Sequence, residues 1–383
     1  MIAALDATPL VEPHGGIARY TRELSRALAC CFSGDEYWLV SDQRVSAQEA
    51  AASALKGPEP DGAASVARGG ERMSAPAGTP SNLHISATAR TGLARRWWLA
   101  GLRAELKRLR ADVFHGTDFA VPYLRATASV VTLHDLSPWG PLPDGRGSVD
   151  SGPLHGGRGS ANAVSARVRR RAPLVMRLRL ATMIVTPSEA IRRAAMDRFE
   201  IAGDDIVATP LAAAACFQPQ PVHPPQRPYF LVVGKRNPRK NIDTAEAACA
   251  EVRKEHDGEL IVADGCGDSE LARLYSNATA LLFPSFCEGF GLPVLEAMQC
   301  GAPVIASRDA ALMEVSGDAA VLLDAGDVRA WTDAMKAMLT NAVWREDLRR
   351  RGFARARQFS WERTAGLTRE VYGEAIARFH RKT

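Results

Sequence analysis

Two carboxylates, Glu288 and Glu296, stand on either side of Gly289-Phe290-Gly291-Leu292-Pro293. The apolar run ending at Phe283 reads as a strand, the glycines make a loop across its tip, and Pro293 stands where a helix begins. The free N–H groups and the dipole of such a helix start form a natural seat for a pyrophosphate. Acids flanking that seat suit the hydroxyls of a sugar. A glutamate in a helix's first turn is also what the dipole favours unaided, so Glu296 alone decides little and the whole stretch decides more.

A cationic run, Lys235-Arg236-Asn237-Pro238-Arg239-Lys240, follows another apolar strand. Gly15 and Gly16 would let backbone approach a phosphate or an acceptor closely, although most such pairs are simply turns. His134 and His115 each end a predicted strand. A carboxylate pair could serve a retaining glycosidase, but neither the phosphate seat nor the cationic run has a use in that chemistry.

These residues need rigid elements to hold them. Short apolar strands (Ile2–Leu5, Tyr37–Val40, Val113–His115, Val130–Leu133, Met183–Thr186) alternate with helices over Ile17–Cys31, Arg95–Arg110 and 189–199, the last with Ser188 as N-cap. After a Pro-rich linker the pattern resumes. Strands Tyr229–Val233, Leu260–Ala263, Ala280–Phe283, Pro303–Ala306 and Ala320–Leu323 alternate with helices over 242–256, 269–278, 293–300 and 327–340. The pattern predicts an α/β protein with two parallel, doubly covered sheets and ligands at the carboxyl ends of their strands. The expected division is a first domain over 1–215, with flexible insertions near 56–90 and 143–162, and a second over 226–360.

At 383 residues the chain suits two domains, and its composition is that of a soluble globular protein. Residues 1–215 carry 26 Lys/Arg against 21 Asp/Glu, while the remainder is balanced. That favours an anionic partner on the first domain, phosphate or an acidic membrane, over a nucleic-acid binder. The 7 cysteines include adjacent Cys30 and Cys31 and no C-x-x-C spacing, which fits a reducing compartment. With no apolar leader or spanning run in view, a cytoplasmic protein is expected.

The segment around Glu288 and Glu296 resembles the E-x7-E signature of family-4 glycosyltransferases, the retaining group with the GT-B fold of two Rossmann-like domains facing a cleft. The resemblance extends to Leu271–Ala278, Gly301–Ser307, Glu314–Ala320 and Phe359-Ser360-Trp361-Glu362, and in the first half to Asp6–Leu10, Gly15–Thr21 and Leu133-His134-Asp135-Leu136. It implies that Glu288 lies against the donor sugar and Glu296 against the nucleotide ribose. It also implies that Lys240 neutralises the donor diphosphate and that His134 lies near the donor sugar. The second cation is Arg236 or Lys235; the spacing does not choose. Gly289, Phe290, Gly291, Leu292, Gly15 and Gly16 complete the donor-binding set. Helix 361–383 would cross back onto the first domain. The implied reaction transfers a hexose, with mannose the leading candidate, from a nucleotide-sugar to a glycan or lipid-linked acceptor in surface polysaccharide synthesis. No D-x-D acid pair is present, and no metal or other cofactor is expected.

One departure stands out. Relatives carry a further helix and strand where this chain has only Asp264-Gly265-Cys266-Gly267-Asp268. A shortened sheet would open the base side of the nucleotide pocket. A non-catalytic relative that binds nucleotide or glycan therefore stays open beside the transferase, and a GT-B nucleotide-sugar epimerase is a separate alternative. Finally, the basic amphipathic segment Arg95–Arg110, with a second basic run at Arg167–Arg179, could rest on anionic lipid or be an ordinary packed helix with a solvated basic face.

Overall fold

The computed structural model describes residues 1–11, 15–42, 80–86, 97–136, 175–176, 178–221 and 227–382. Seven parallel strands form the first sheet: β1 (Ile2–Asp6), β2 (Glu36–Val40), β3 (Leu83–Ile85), β4 (Val113–Gly116), β5 (Ala128–Thr132), β6 (Met183–Thr186) and β7 (Ile206–Ala208). Their order is β3-β2-β1-β4-β5-β6-β7. Five parallel strands form the second, β8 (Tyr229–Val233), β9 (Glu259–Ala263), β10 (Ala280–Phe283), β11 (Val304–Ser307) and β12 (Val321–Leu323), in the order β12-β11-β10-β8-β9. Each order reverses once, between β1 and β4 and between β8 and β10. A crevice opens at such a reversal, because neighbouring connections leave toward opposite faces of the sheet.

The predicted fold class is the observed one, two α/β units with parallel sheets. The central strands β4, β5, β6, β10 and β11 are buried at every position, as sheets covered on both faces require. In the first unit the helices are α1 (Gly16–Cys31), α2 (Leu102–Leu109) and α3 (Glu189–Phe199). In the second they are α4 (Ile242–Val252), α5 (Asp268–Asn277), α6 (Leu292–Cys300), α7 (Ala310–Ser316), α8 (Val328–Thr340) and α9 (Ala342–Ala356). The last helix, α10 (Trp361–Lys382), packs on α1 and β5. Two polar contacts hold it there: the Tyr372 hydroxyl lies 2.6 Å from His115 Nδ1, and Arg369 Nε donates to Asp35 at 2.7 Å.

Some local expectations are corrected. The stretch 56–90, expected to be mostly loop in a flexible insertion, contains β3, a three-residue edge strand in register with Tyr37–Leu39 and too short to show a period. Its other parts, the insertion at 143–162 and most of Arg167–Arg179 lie outside the described residues. In the basic segment, a π-helical turn over Trp97–Gly101 precedes α2, and Trp97 and Trp98 are buried in the core. Helix α4 ends at Val252. Strand β7 and helices α7 and α9 were not anticipated; α9 has a weak apolar stripe, burying only Leu348, Gly352 and Ala356.

Candidate active site

Glu288 follows β10 and the 238–240 turn follows β8, so both stand at the reversal of the second sheet. The turn is a 3-10 helix whose N-cap, Asn237, accepts from Lys240 N with its side chain. Asn241, in the left-handed region at φ 49°, donates from Nδ2 to the carbonyls of Pro284 (3.2 Å) and Ala325 (2.7 Å). Phe286 N donates to Arg239 O at 2.9 Å. The cationic turn is thereby tied along the Glu288 loop rather than left as a surface tail.

That tie brings three charges together. Glu288 Oε1 accepts from Lys240 Nζ at 2.9 Å, and Oε2 from Arg239 Nη1 at 2.9 Å. Arg239 Nη1 also donates to Cys287 O at 2.8 Å, and Lys240 Nζ lies 4.3 Å from the centre of the Phe283 ring. Burial opposes ionisation of Glu288, but Lys240 and Arg239 outweigh it and hold the carboxyl down at about 2.

The cation that joins Lys240 on Glu288 is Arg239, and the two residues between which the spacing left the choice of second cation stand away from this carboxylate. Arg236 is exposed and turned onto α4, where it pairs with Asp243 (2.5 Å) and Glu246. Lys235 is exposed, and its carbonyl accepts from Asn237 Nδ2. The sequence signal beside Arg239 is Pro238 after Asn237, which marks a tight turn without saying which of its side chains meets Glu288.

Gly291 is the N-cap of α6 at φ 104°, and a Cβ there would lie 2.5 Å from Leu312 Cδ2, so both conformation and space demand glycine. Phe290 is buried, with its ring 5.9 Å from that of Phe359, and Leu292 opens α6. Gly289 sits against the first unit: a Cβ there would come within 1.8 Å of His134 O. Two further contacts bridge the units nearby. Ser188 Oγ donates to Gly289 O at 2.8 Å, and Glu314 accepts from Glu189 N and Ala190 N at 2.9 and 2.8 Å, capping α3 from across the cleft.

His134 follows β5. Burial lowers its pKa, so the imidazole is neutral; its Nε2–H donates to Thr117 O at 2.6 Å, and Tyr20 and Phe119 meet it edge-on. His115 is fully buried between Tyr372 and Thr132, with its pKa pushed down to about 3 by burial and His134, and belongs to the core under α10. Gly15 (φ 134°) and Gly16 begin α1 with open space beside both α-carbons. Asp118, after β4, is pushed up to about 7 by burial, Asp6 and Asp135.

Glu296 is not open to the cleft. It is 1% exposed; Arg19 Nη1 donates to Oε1 and the Tyr275 hydroxyl to Oε2 at 3.1 Å. Arg19, on α1, also pairs with Asp268 on α5. Neither Arg19 nor Asp268 was singled out from sequence. Among the described residues, no three His, Cys, Asp or Glu side chains are placed to share a metal ion.

Residues 14–212 match the family model "Glycosyltransferase Family 4", and residues 220–341 match "Glycosyl transferases group 1". The O-antigen chain mannosyltransferase B of Escherichia coli is 28% identical over 305 residues, covering 70% of this chain and 75% of the relative. Sucrose-phosphate synthase from Thermosynechococcus elongatus superposes with a TM-score of 0.68 at 19% identity, over 98% of this chain and 99% of its own. Anabaena Alr3699/HepE in complex with UDP-glucose does so with a TM-score of 0.60 at 14% identity, over 97% and 99%. At these identities the structural likeness shows the fold, which is GT-B.

Proposed function

The chain belongs to glycosyltransferase family 4, and from that premise we propose that it transfers a hexose from a nucleotide-sugar to a glycan or lipid-linked acceptor, with retention of configuration. The observation that carries the reading is Glu288 gripped by Lys240 and Arg239 at the reversal of the second sheet. Cleaving the anomeric bond leaves negative charge on the nucleoside diphosphate. Cations already fixed in a largely closed cleft stabilise that charge without reorganising. Lys240 and Arg239 would serve the diphosphate, Glu288 and His134 the sugar, and the amide end of α6 with Gly289–Leu292 a phosphate. Gly15 and Gly16, with open space at the start of α1, would let backbone approach the donor from the first unit. Mannose as the sugar, and surface polysaccharide as the product, are supported by the O-antigen mannosyltransferase relative; the UDP-glucose complex of HepE supports a nucleotide-sugar as donor.

The test is calorimetry with a panel of nucleoside diphosphates and nucleotide-sugars, followed by a transfer assay with acceptor extracts. One donor class is expected to bind and turn over. Binding with no turnover would favour a non-catalytic relative, which the five-stranded second sheet and the sealed Glu296 also favour; an isomerised donor without acceptor would favour an epimerase. No binding at all would overturn the reading.

A lipid-linked acceptor implies a membrane surface, and we place it on the first unit. Leu99 (43%), Leu124 (43%) and Leu178 (54%) are exposed. Hydrogen bonds from Tyr123 N to Trp98 O (3.0 Å) and from Arg125 Nη2 to Arg179 O (2.7 Å) make their segments one surface. Arg125 and Arg179 are exposed on the same segments, and Lys107 and Arg110 are exposed on α2 and at its C-cap. Exposed leucines with exposed arginines on the same segments suit anionic headgroups. No helix among the described residues is long and apolar enough to cross a bilayer. Flotation with phosphatidylglycerol vesicles should capture the protein, and L124E/L178E should reduce capture at least about fivefold. Equal capture by phosphatidylcholine vesicles, or no effect of the substitutions, would remove the membrane from the proposal.

A further inference from the structure

The short connection between β9 and α5 has a consequence for Glu296. Only Asp264–Gly267 separate the two elements, so α5 begins at once with Asp268. Asp268 thereby stands beside Glu296 of α6, and the Arg19 guanidinium of the first unit lies between them. Nη1 donates to Glu296 Oε1 and Nη2 to Asp268 Oδ1, while the guanidinium carbon sits 4.8 Å from the centre of the Phe217 ring. Arg22 Nη2 adds a longer contact to Asp268 Oδ2 at 3.4 Å. Arg19 Nε is buried with no hydrogen-bond partner.

The carboxylate oxygens of Glu296 are thus engaged by Arg19 and Tyr275, and its side chain is 1% exposed. A ribose cannot reach this acid while the Arg19 contact stands. The contact also crosses the cleft: α1 belongs to the first sheet, α5 and α6 to the second. A guanidinium that bridges two carboxylates in this way is directional as well as charged, so it fixes the relative placement of the helices it joins. With the buried Nε left without an acceptor, the hydrogen bonds of this side chain come from its two terminal nitrogens.

We propose that Arg19 and Asp268 are positioning residues that clasp the two units together over Glu296 in the donor-free protein, and that the ribose of an incoming nucleoside diphosphate takes Glu296 from Arg19. The inference rests on the nucleotide-sugar reading above. Donor binding then includes the work of releasing the clasp, so apparent affinity is lowered by the population of the clasped state. Loosening the clasp without touching Glu296 must raise affinity, a direction that mere structural damage does not produce.

Asp268→Asn removes one of the two charges on Arg19 at a partly exposed position and leaves Glu296 in place. Arg19→Gln removes the clasp itself. Small-angle scattering of the donor-free proteins and calorimetric titration with UDP and GDP read the two halves separately. The expected result is a larger radius of gyration for both variants than for wild type, and nucleoside diphosphate binding about three- to tenfold tighter in Asp268→Asn. Unchanged or weaker binding in Asp268→Asn overturns the competition for Glu296, and unchanged scattering in both variants overturns the clasp. If neither diphosphate binds any of the three proteins, the donor reading fails and takes the ribose half with it, while scattering still decides whether Arg19 holds the units closed.

Discussion

Replacing Lys240 by alanine should lower the rate of sugar transfer by about 10²- to 10³-fold, with a much smaller change in donor affinity. Lys240 Nζ is not a loose surface charge: it lies 2.9 Å from Glu288 Oε1, over the Phe283 ring, on a turn capped by Asn237. An ammonium fixed in this way needs little reorganisation when charge develops on the diphosphate, and its effect belongs to kcat. Glu288 matters to the same step because it orients both cations. Its pKa is depressed to about 2, so the stabilisation from its ionised form is complete above the unfolded carboxylate range and is lost only as pH falls toward 2. At neutral pH, Glu288→Gln therefore removes it altogether. Lys240→Arg should restore part of the rate by returning the charge. The measurement is single-turnover transfer alongside a thermal melt. A Lys240→Ala protein that melts like wild type and keeps more than a tenth of its rate would show that the diphosphate is neutralised elsewhere.

How much of this was legible in the sequence follows from what each feature depends on. Most strands of the two sheets announce themselves because runs such as Tyr229–Val233 and Ala280–Phe283 are apolar at successive positions, the mark of a strand covered on both faces. The loop from Glu288 to Pro293 was readable for a similar reason: glycines and a proline report backbone conformation directly, and Gly291 does stand at φ 104°. Long-range partnership is another matter. Arg19 lies 277 positions from Glu296, and nothing in the spacing of either residue reports the other. That Arg239, and neither Lys235 nor Arg236, meets Glu288 was hidden for a smaller-scale reason. A 3-10 turn aims successive side chains about 120° apart, so which cation meets Glu288 depends on how Asn237 and Asn241 pin that turn. Strand β3 was missed because three residues carry no period.

Gly289→Ala is expected to open the cleft. No positive φ forbids a side chain at this position; the obstacle is the His134 carbonyl, 1.8 Å from where a Cβ would sit. That oxygen belongs to the backbone at the end of β5, so it cannot swing aside as a flexible side chain would. The strain must be relieved by moving the two units apart, or by shifting the Glu288 loop away from His134. Either movement lengthens the Ser188 Oγ to Gly289 O hydrogen bond, now 2.8 Å, and displaces Glu288 and its cations relative to His134. Overpacking of this sort costs about 1–3 kcal/mol. Misplacing reacting groups by about 1 Å can cost on the order of 10²-fold in rate. The expected outcome is a fall in melting temperature of several degrees together with a loss of transfer of at least about tenfold. Gly373→Ala, inside α10 with nothing within 4 Å of its would-be Cβ, is the matched control and should melt no lower than wild type. If Gly289→Ala keeps both its melting temperature and its activity, the two units do not meet at this backbone contact in solution, and a catalytic cleft built from Glu288 on one side and His134 on the other cannot be sustained.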